Sequence, residues 1–279
     1  MKRKVISRVK LSSKVIILGI WLLFMVFPLY WMILTSLKPK NDIFKFPLEY
    51  LPERISFENY ANIFAISKFH VYIGNSLLVS LLSALIVIII SILSSYVLAR
   101  FTFRGSRQIM SGFFLTQMIP MFIGFGPLYS IMSQLNLLNK QGSLVLMYSV
   151  LLIPFCTLML KGFFQRIPSS LEEAAMIDGC SRLGGLIRII LPVMKPGISA
   201  TFIFAFVQNW NELFLAIMFI DREEAKTIPV AMNSFITKFD IDWGAMSAAT
   251  VLSVIPTMIL FALCQRLIVQ GLTDGAVKG

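Results

Sequence analysis

The sequence predicts an all-α polytopic membrane protein with six transmembrane helices. Of its 279 residues, 57% are hydrophobic and only 14% are charged, and the mean hydropathy is +0.80. A soluble domain of this length could not bury so much apolar surface, whereas a bilayer accommodates it in spans of ~20 apolar residues. Alternating strand patterns are absent, so we expect helices, which satisfy their own backbone hydrogen bonds in lipid. The predicted spans cover residues 15–37, 71–99, 109–133, 143–165, 197–220 and 246–269.

The distribution of basic residues predicts the orientation of these spans. Lys and Arg concentrate in the N-terminal tail 1–14, the connection 100–107, the segment 161–195 and the end of the chain, while acidic residues predominate in the other connections. By the positive-inside rule, both termini are therefore expected in the cytoplasm. The net charge of +11 follows from this topology, so it does not indicate nucleic-acid binding. No small-residue cleavage site follows the first span, 15–37, which is therefore expected to be an uncleaved anchor.

The external connections differ in length and charge. The first, 38–70, is expected to carry a short helix on the membrane surface that begins near Ser56-Phe57-Glu58-Asn59-Tyr60. The second, 134–142, is short. The third, 221–245, is acidic and is either a docking surface for an external partner or a solvated loop. We expect one domain, with the first span at its periphery.

The third predicted span is interrupted by residues that disturb a helix. Two interpretations stay open: a broken helix whose freed backbone groups face protein or a cavity, as in transporters, or an ordinary proline kink. The interrupting residues are Gln117, Pro120, Gly124, Gly126 and Pro127.

The cytoplasmic segment 168–192 predicts two short helices. Ser170-x-x-Glu173 is a capping-box pattern that begins the first helix, and Gly179 is a plausible end for it. The second is expected to end at Pro192 and to carry its apolar residues on one face, at Leu183, Leu186, Ile187 and Ile190. Such a segment either docks in a groove of a partner protein or rests on lipid headgroups.

Residues of this segment resemble a known signature. Glu173-Ala174-Ala175, Gly179, Ile189, Leu191 and Pro192 resemble the complete EAA signature of ABC importer permeases, and 170–179 resembles its sugar-permease form. Further segments resemble the second permease of maltose-type carbohydrate importers, so that the likeness covers nearly the whole chain. They are Pro28-Leu29-Tyr30-Trp31, Thr35-Ser36-Leu37-Lys38, Asn209-Trp210-Asn211-Glu212, Thr227-Ile228-Pro229-Val230, Asp242-Trp243-Gly244 and 271–279.

The resemblance implies a type I ABC importer permease (MetI-like) fold in a bacterial or archaeal cytoplasmic membrane. Its transmembrane core would cover 71–270, followed by a cytoplasmic tail, 271–279. The implied partners are a second homologous permease, two ATPase subunits, an extracellular solute-binding protein and a carbohydrate substrate. Carried over residue by residue, the contact with the ATPase would be made by Glu172, Glu173, Ala174, Ala175, Asp178 and Gly179.

ATP chemistry is not expected in this chain. It lacks the glycine-rich phosphate loop G-x-x-x-x-G-K-[ST], so ATP and Mg²⁺ are expected on the partner ATPase. His70 is the only histidine, and no metal site or catalytic residue is expected. The chain is therefore predicted to be a transport subunit and not an enzyme.

The fifth predicted span contains four polar residues near its middle, Gln208, Asn209, Asn211 and Glu212. A charge at the bilayer centre costs roughly 2.5–3.5 kcal/mol, so Glu212 should face protein or water. Helical spacing places Thr201, Phe204, Gln208, Asn211 and Leu215 on one stripe with Glu212 beside it. These side chains either line a translocation path, since amides, carboxylates and rings suit a sugar, or form a structural network at the interface with the second permease.

Three other functions are less consistent with the sequence than sugar uptake. The first is a permease for another solute, such as a polyol or a glycerol phosphodiester. A path for a phosphorylated solute would be expected to offer Arg or Lys, and the spans contain almost none. An ion-driven secondary transporter would need intramembrane acidic relays, and only Glu212 is present. A membrane scaffold leaves the EAA pattern unexplained.

Overall fold

The computed structural model describes residues 2–65, 68–236 and 241–276, with side chains over 13–65, 68–236 and 241–267. The regular secondary structure of the described residues is helical, apart from the single bridge between Ile236 and Ile241. The α-helices are α1 (Lys2–Ser36), α2 (Glu58–Ala65), α3 (Phe69–Arg100), α4 (Ser106–Met118), α5 (Met121–Gln134), α6 (Gln141–Phe164), α7 (Ser170–Ile177), α8 (Arg182–Gly185), α9 (Leu191–Val193), α10 (Lys195–Trp210), α11 (Phe214–Phe219), α12 (Ile228–Asn233) and α13 (Trp243–Ala276).

Four helices of the described chain are long and apolar enough to cross a membrane. They are Ser13–Ser36 of α1, the whole of α3, the whole of α6 and Trp243–Leu267 of α13. Two further pairs meet the criterion only together: α4 with α5, bent by 98°, and Arg182–Val193 with α10, bent by 79°. The number of spans is therefore four, or the predicted six if each bent pair forms one span.

The third predicted span is broken and not merely kinked. Its helices α4 and α5 are separated by Ile119 and Pro120, which both adopt extended backbone conformations, with ψ angles of 120° and 125°. A proline disfavours the helical conformation of the residue before it and cannot donate a backbone hydrogen bond. Pro127, in contrast, is accommodated inside α5.

The prediction of one continuous helix over 197–220 is wrong. Helix α10 ends at Trp210, and α11 begins only at Phe214. The three residues between them leave the regular helix, and the side chain of Glu212 bonds the backbone of the helix that follows. A local alternative partner for backbone N–H groups competes with helix continuation.

Residues 1–69 and 232–255 form one compact unit. The predicted short helix is present as α2. At its beginning, the backbone N–H of Glu58 donates to Ser56 Oγ over 3.2 Å. Asn59 is buried, and its amide donates to the carbonyls of Ser36 and Lys38 over 3.0 and 2.8 Å. This amide ties α2 to the end of α1.

Residues 70–231 and 256–279 form the second unit. One of its apolar clusters joins α3, α5, α6 and α11 around Leu144, Tyr148 and Leu215. Another joins α3 and α6 to the segment after α8 around Tyr96, Leu160 and Ile190. Of the predicted tail 271–279, helix α13 extends to Ala276, and residues 277–279 lie outside the described residues.

Candidate functional sites

The first candidate site is the segment 168–193, which begins with α7. The predicted capping box is wrong: Ser169 occupies the N-cap position with a helical backbone, and its side chain makes no capping bond. The backbone begins the helix instead, since the N–H groups of Glu172 and Glu173 donate to Ser169 O over 2.9 and 3.1 Å. A residue that already has helical φ and ψ does not place its side chain as an N-cap does.

The predicted end of α7 at Gly179 is confirmed. Gly179 has φ +87°, a left-handed conformation that costs glycine nothing. Its N–H donates to Met176 O over 3.1 Å, and the N–H of Cys180 donates to Ala175 O over 2.9 Å. This pair of bonds is the Schellman motif, which satisfies the last carbonyls of a helix.

Helix α7 turns its signature residues to two different faces. Glu173, Ala174, Asp178 and Gly179 are exposed. Ala175, by contrast, is buried, and its Cβ lies 3.5 Å from where a Cβ would stand at Gly185.

Glu172 also lies on the inner face of α7, where its carboxylate is bound within the chain. Arg100 Nε donates to Glu172 Oε1 over 2.6 Å, and the two side chains are only 13% and 14% exposed. The Tyr96 hydroxyl donates to Glu172 Oε2 over 3.2 Å, while Arg100 Nη2 donates to Ile167 O over 2.9 Å. Glu172 is one of the residues predicted to contact a partner protein, but in the structure its carboxylate is bound by α3.

The second half of the segment is one helical run from Arg182 to Val193, with a π-helical turn at Leu186–Ile190. The N–H of Leu191 donates to Leu186 O, five residues back. The stretch was predicted to end at Pro192 and ends one residue later, at Val193, with the proline near the N-terminus of α9.

The predicted single apolar face is also wrong. Leu186 and Ile190 are buried, whereas Leu183 and Ile187 are more than half exposed. A π-turn places five residues where an α-helix places four, so the register of the side chains shifts along the run.

The second candidate site lies at the break between α10 and α11. Glu212 Oε1 accepts the N–H of Leu215 over 2.9 Å, and Oε2 accepts the N–H of Ala216 over 3.2 Å. The hydroxyl of Tyr148 in α6 donates to the same Oε2 over 2.8 Å. The carboxylate therefore caps α11 and is held by neutral donors, at a helix end where the backbone dipoles favour negative charge.

A cavity of about 200 Å³ adjoins Glu212. Its wall combines three polar side chains of the predicted path with tyrosine and apolar groups: Met121, Tyr148, Leu151, Leu152, Gln208, Asn209, Glu212 and Leu215. Asn209 is buried, and its Nδ2 has no hydrogen-bond partner among the described residues. A buried donor without a partner is costly, so an acceptor that reached this amide would be favoured.

Asn211, the fourth predicted path residue, does not line this cavity. Its side chain is exposed and donates to Val207 O over 2.9 Å. The predicted stripe also fails at its first member, since Thr201 is buried and donates to Gly197 O. Because the helix breaks after Trp210, helical spacing no longer places residues before and after the break on one face.

Three residues of these sites escaped the sequence reasoning. Tyr96 and Arg100 are one helical turn apart at the end of α3, a spacing that places both on one face. Tyr148 is one of several polar groups inside a mostly apolar helix. Each offered a signal in its own element, but the partner glutamates lie 76, 72 and 64 residues away.

Comparison with known proteins gives a family match. Residues 91–274 match the family described as "Binding-protein-dependent transport system inner membrane component". This range includes both candidate sites.

Relatives resemble the chain over its whole length. It is 39% identical over 279 residues to the diacetylchitobiose uptake system permease protein of Streptomyces coelicolor, covering 100% of both chains. It is 33% identical to the trehalose/maltose transport system permease protein of Thermococcus litoralis, again with 100% of both covered. It is 39% identical to the sulfoquinovosyl glycerol transport system permease protein of Agrobacterium fabrum, with 91% of this chain and 89% of that protein covered.

The fold is also similar to that of solved structures. A chain of a bacterial ABC transporter involved in the import of the acidic polysaccharide alginate superposes with a TM-score of 0.80 at 21% identity. The match covers 93% of this chain and 96% of that chain. A chain of an alginate ABC transporter in complex with an alginate pentasaccharide-bound periplasmic protein gives a TM-score of 0.69.

Proposed function

The chain belongs to the family of binding-protein-dependent transport system inner membrane components, and we propose that its task is carbohydrate uptake as one permease half of an ATP-driven importer. As a member of this family it is a transport subunit and not an enzyme. It is a multi-pass protein of the cytoplasmic membrane. ATP and Mg²⁺ bind to separate ATPase subunits in the proposed complex.

The observation that carries the proposal is the division of α7 into two faces. Glu173, Ala174 and Asp178 are exposed on one face, while Glu172 and Ala175 are held inside the permease. A short helix that is anchored on one side and presents small and acidic side chains on the other suits a groove on a partner protein. We assign the exposed face, with the Gly179 turn, to the contact with the ATPase.

A carbohydrate is supported as the solute by two observations. The similar proteins of S. coelicolor and T. litoralis carry diacetylchitobiose and trehalose/maltose in their names. The cavity beside Glu212 presents amide and carboxylate groups, which bind hydroxyls, and no Lys or Arg lines it. The absence of a cation there disfavours a phosphorylated solute.

The translocation path is proposed to pass this cavity, with Gln208 and Asn209 facing the solute. Glu212 has a structural part as well, since its carboxylate already accepts three hydrogen bonds. Asn211 is kept in the proposal as an exposed residue that a second permease would cover. We therefore assign Glu212 a structural role inside this chain, which differs from the predicted network at the interface with the second permease, and assign Gln208 and Asn209 to the path.

The proposed complex contains a second homologous permease, two ATPase subunits and an extracellular solute-binding protein. The acidic connection 221–245, of which residues 237–240 lie outside the described part, is a candidate contact for the binding protein. The beginning of this connection is anchored to α3, since Asn75 donates to the carbonyls of Glu224 and Lys226, each over 2.8 Å.

The test is to co-purify the tagged chain from mild detergent, identify the bound subunits and reconstitute them in liposomes with the binding protein. Sugars are then screened on that binding protein, and ATP-dependent uptake of the tightest ligand is measured. Recovery of the chain alone with uptake intact would contradict the ATP-driven proposal.

Glu173→Lys is the matched variant for the docking face, because it reverses a charge on an exposed side chain without touching the buried one. We expect the protein to insert normally, while uptake is lost and ATP hydrolysis no longer responds to the loaded binding protein. Glu58→Lys, an exposed acid on α2, controls for the change in net charge. Normal uptake by Glu173→Lys would remove this residue from the ATPase contact.

A further inference from the structure

We propose that Arg100, Tyr96 and Glu172 form a clamp that fastens the 168–193 segment to the cytoplasmic end of α3. Through this clamp, displacement of the segment by the ATPase moves α3. The inference rests on the docking role proposed above and adds the contact through which displacement of α7 is transmitted to the membrane-spanning helix α3.

The clamp joins three elements at one guanidinium group. Arg100 is the last residue of α3, and its Nε bonds Glu172 of α7 over 2.6 Å. Its Nη2 bonds the carbonyl of Ile167, just after α6, over 2.9 Å. A planar guanidinium holds two acceptors in fixed directions, which a flexible ammonium group does not. The end of α6, α7 and α3 are thus held in one geometry.

Burial makes the clamp resist separation. The side chains of Arg100 and Glu172 are 13% and 14% exposed, and the Tyr96 hydroxyl supplies a further bond to the carboxylate. Opening such a pair leaves a largely buried charge without its partner, which costs far more than opening an exposed ion pair. The segment can therefore move with α3 more readily than away from it.

The second half of the segment is attached to the same end of α3. The Arg182 guanidinium lies 5.3 Å from the ring centre of Phe101, directly after α3. The Phe101 ring is 5.8 Å from the Tyr96 ring, and Tyr96 shares its apolar cluster with Leu186 and Ile190. Because both halves contact one helix end, the segment is expected to transmit force as a unit.

The adjacent Glu172 and Glu173 have different proposed roles. Successive residues of an α-helix point about 100° apart, so Glu172 can face α3 while Glu173 faces outward. Glu173 is exposed, while Glu172 is bound to α3. A force received at one residue is passed on at the next.

The experiment uses the complete transporter in liposomes with its binding protein. It compares Arg100→Gln, Glu172→Gln and the exchange Arg100→Glu with Glu172→Arg. Three quantities are measured for each: the ATPase that co-purifies, the rate of ATP hydrolysis and the solute taken up per ATP hydrolysed. Arg107→Gln, which neutralises an exposed arginine at the beginning of α4, is the matched control.

We expect both single variants to retain the ATPase but to transport roughly tenfold less solute per ATP, because the buried partner is left unpaired. The exchange restores the opposite charges and should recover part of that ratio. Wild-type coupling in both single variants would overturn the clamp. So would an exchange variant that assembles and hydrolyses ATP but couples no better than the single variants.

These outcomes separate the clamp from the docking role. Failure of the docking proposal would appear as normal uptake by Glu173→Lys, whatever the Arg100 variants do. If Glu172→Gln does not assemble, Tyr96→Phe tests the same node by removing one hydroxyl. A lower uptake per ATP in Tyr96→Phe supports the clamp, and an unchanged ratio contradicts it.

Discussion

Glu172 and Glu212 are both inward-facing glutamates, yet they are stabilised in different ways. Glu172, near the cytoplasmic end of α3, is paired with the full positive charge of Arg100 and with one hydroxyl. Glu212, at the break between α10 and α11, accepts bonds from two backbone N–H groups and the Tyr148 hydroxyl, all of them neutral. An ion pair fixes two elements to each other, whereas a capped helix end stabilises a carboxylate without a counter-charge.

The comparison predicts that removing the charge alone affects the two sites unequally. Glu172→Gln leaves Arg100 without its counter-charge and should cost about 3 kcal/mol of stability, the lower end for a broken buried pair. Glu212→Gln keeps an acceptor oxygen for neutral donors and should cost about 1 kcal/mol. Thermal unfolding of the two variants in detergent measures the difference. Equal losses would show that the neighbouring charge of Arg100 does not distinguish the sites.

Removing the whole side chain at Glu212 should have an intermediate effect. Glu212→Ala uncaps α11 and leaves the Tyr148 hydroxyl without its acceptor, which together should cost about 2 kcal/mol. We expect uptake to weaken while the complex still assembles. Assembly is followed by co-purification and uptake in liposomes, with Glu212→Gln as the matched control. Unchanged transport kinetics would make Glu212 dispensable for transport.

The smallest effect is expected at a third glutamate, which lies at the protein surface. Lys45 Nζ contacts Glu49 Oε1 over 2.8 Å, and this bond lowers the pKa of Glu49 and raises that of Lys45. A lowered carboxyl pKa stabilises the folded protein at pH values above the pKa of that carboxyl in the unfolded chain, about 4.3. This stabilisation is lost as the pH falls through the pKa of the carboxyl in the folded protein. The Glu49 side chain is 16% exposed but that of Lys45 is 44% exposed, so solvent screens the pair from the lysine side and it contributes little.

Glu49→Gln should therefore unfold slightly more easily than the wild type at pH 7. This difference should shrink as the pH is lowered from about 4.3 through the folded pKa of Glu49. Thermal unfolding of both proteins at several pH values measures it, and Glu53→Gln is the control for the second contact of Lys45. The basic partner is 44% exposed at Glu49 and 13% exposed at Glu172, so a difference as large as that of Glu172→Gln would refute the link between burial of the basic partner and the strength of the contact.

The sequence predicted features that depend on local chemistry. The apolar stretches, the disturbance of the third span near Pro120, the short helix after Ser56 and the turn at Gly179 all follow from residues within a few positions of each other, although the sequence left a break and a kink at Pro120 equally open. Errors occurred where a local rule met a competing contact. Ser170 has the residue type of a cap but not the backbone, and the helix expected over 197–220 is broken where Glu212 bonds the backbone ahead of it.

The sequence by itself determined that this protein is helical and apolar enough for a membrane, and the resemblance of 168–192 to the EAA signature predicts that this segment meets a partner. Hydropathy and signature spacing are properties of neighbouring residues, and they survive without knowledge of the fold. Only the tertiary structure decided which signature residues face outward. Glu172 and Glu173 were both predicted to contact the ATPase, and what separates them in the structure is Arg100, 72 residues from Glu172, whose position depends on how α3, α6 and α7 pack.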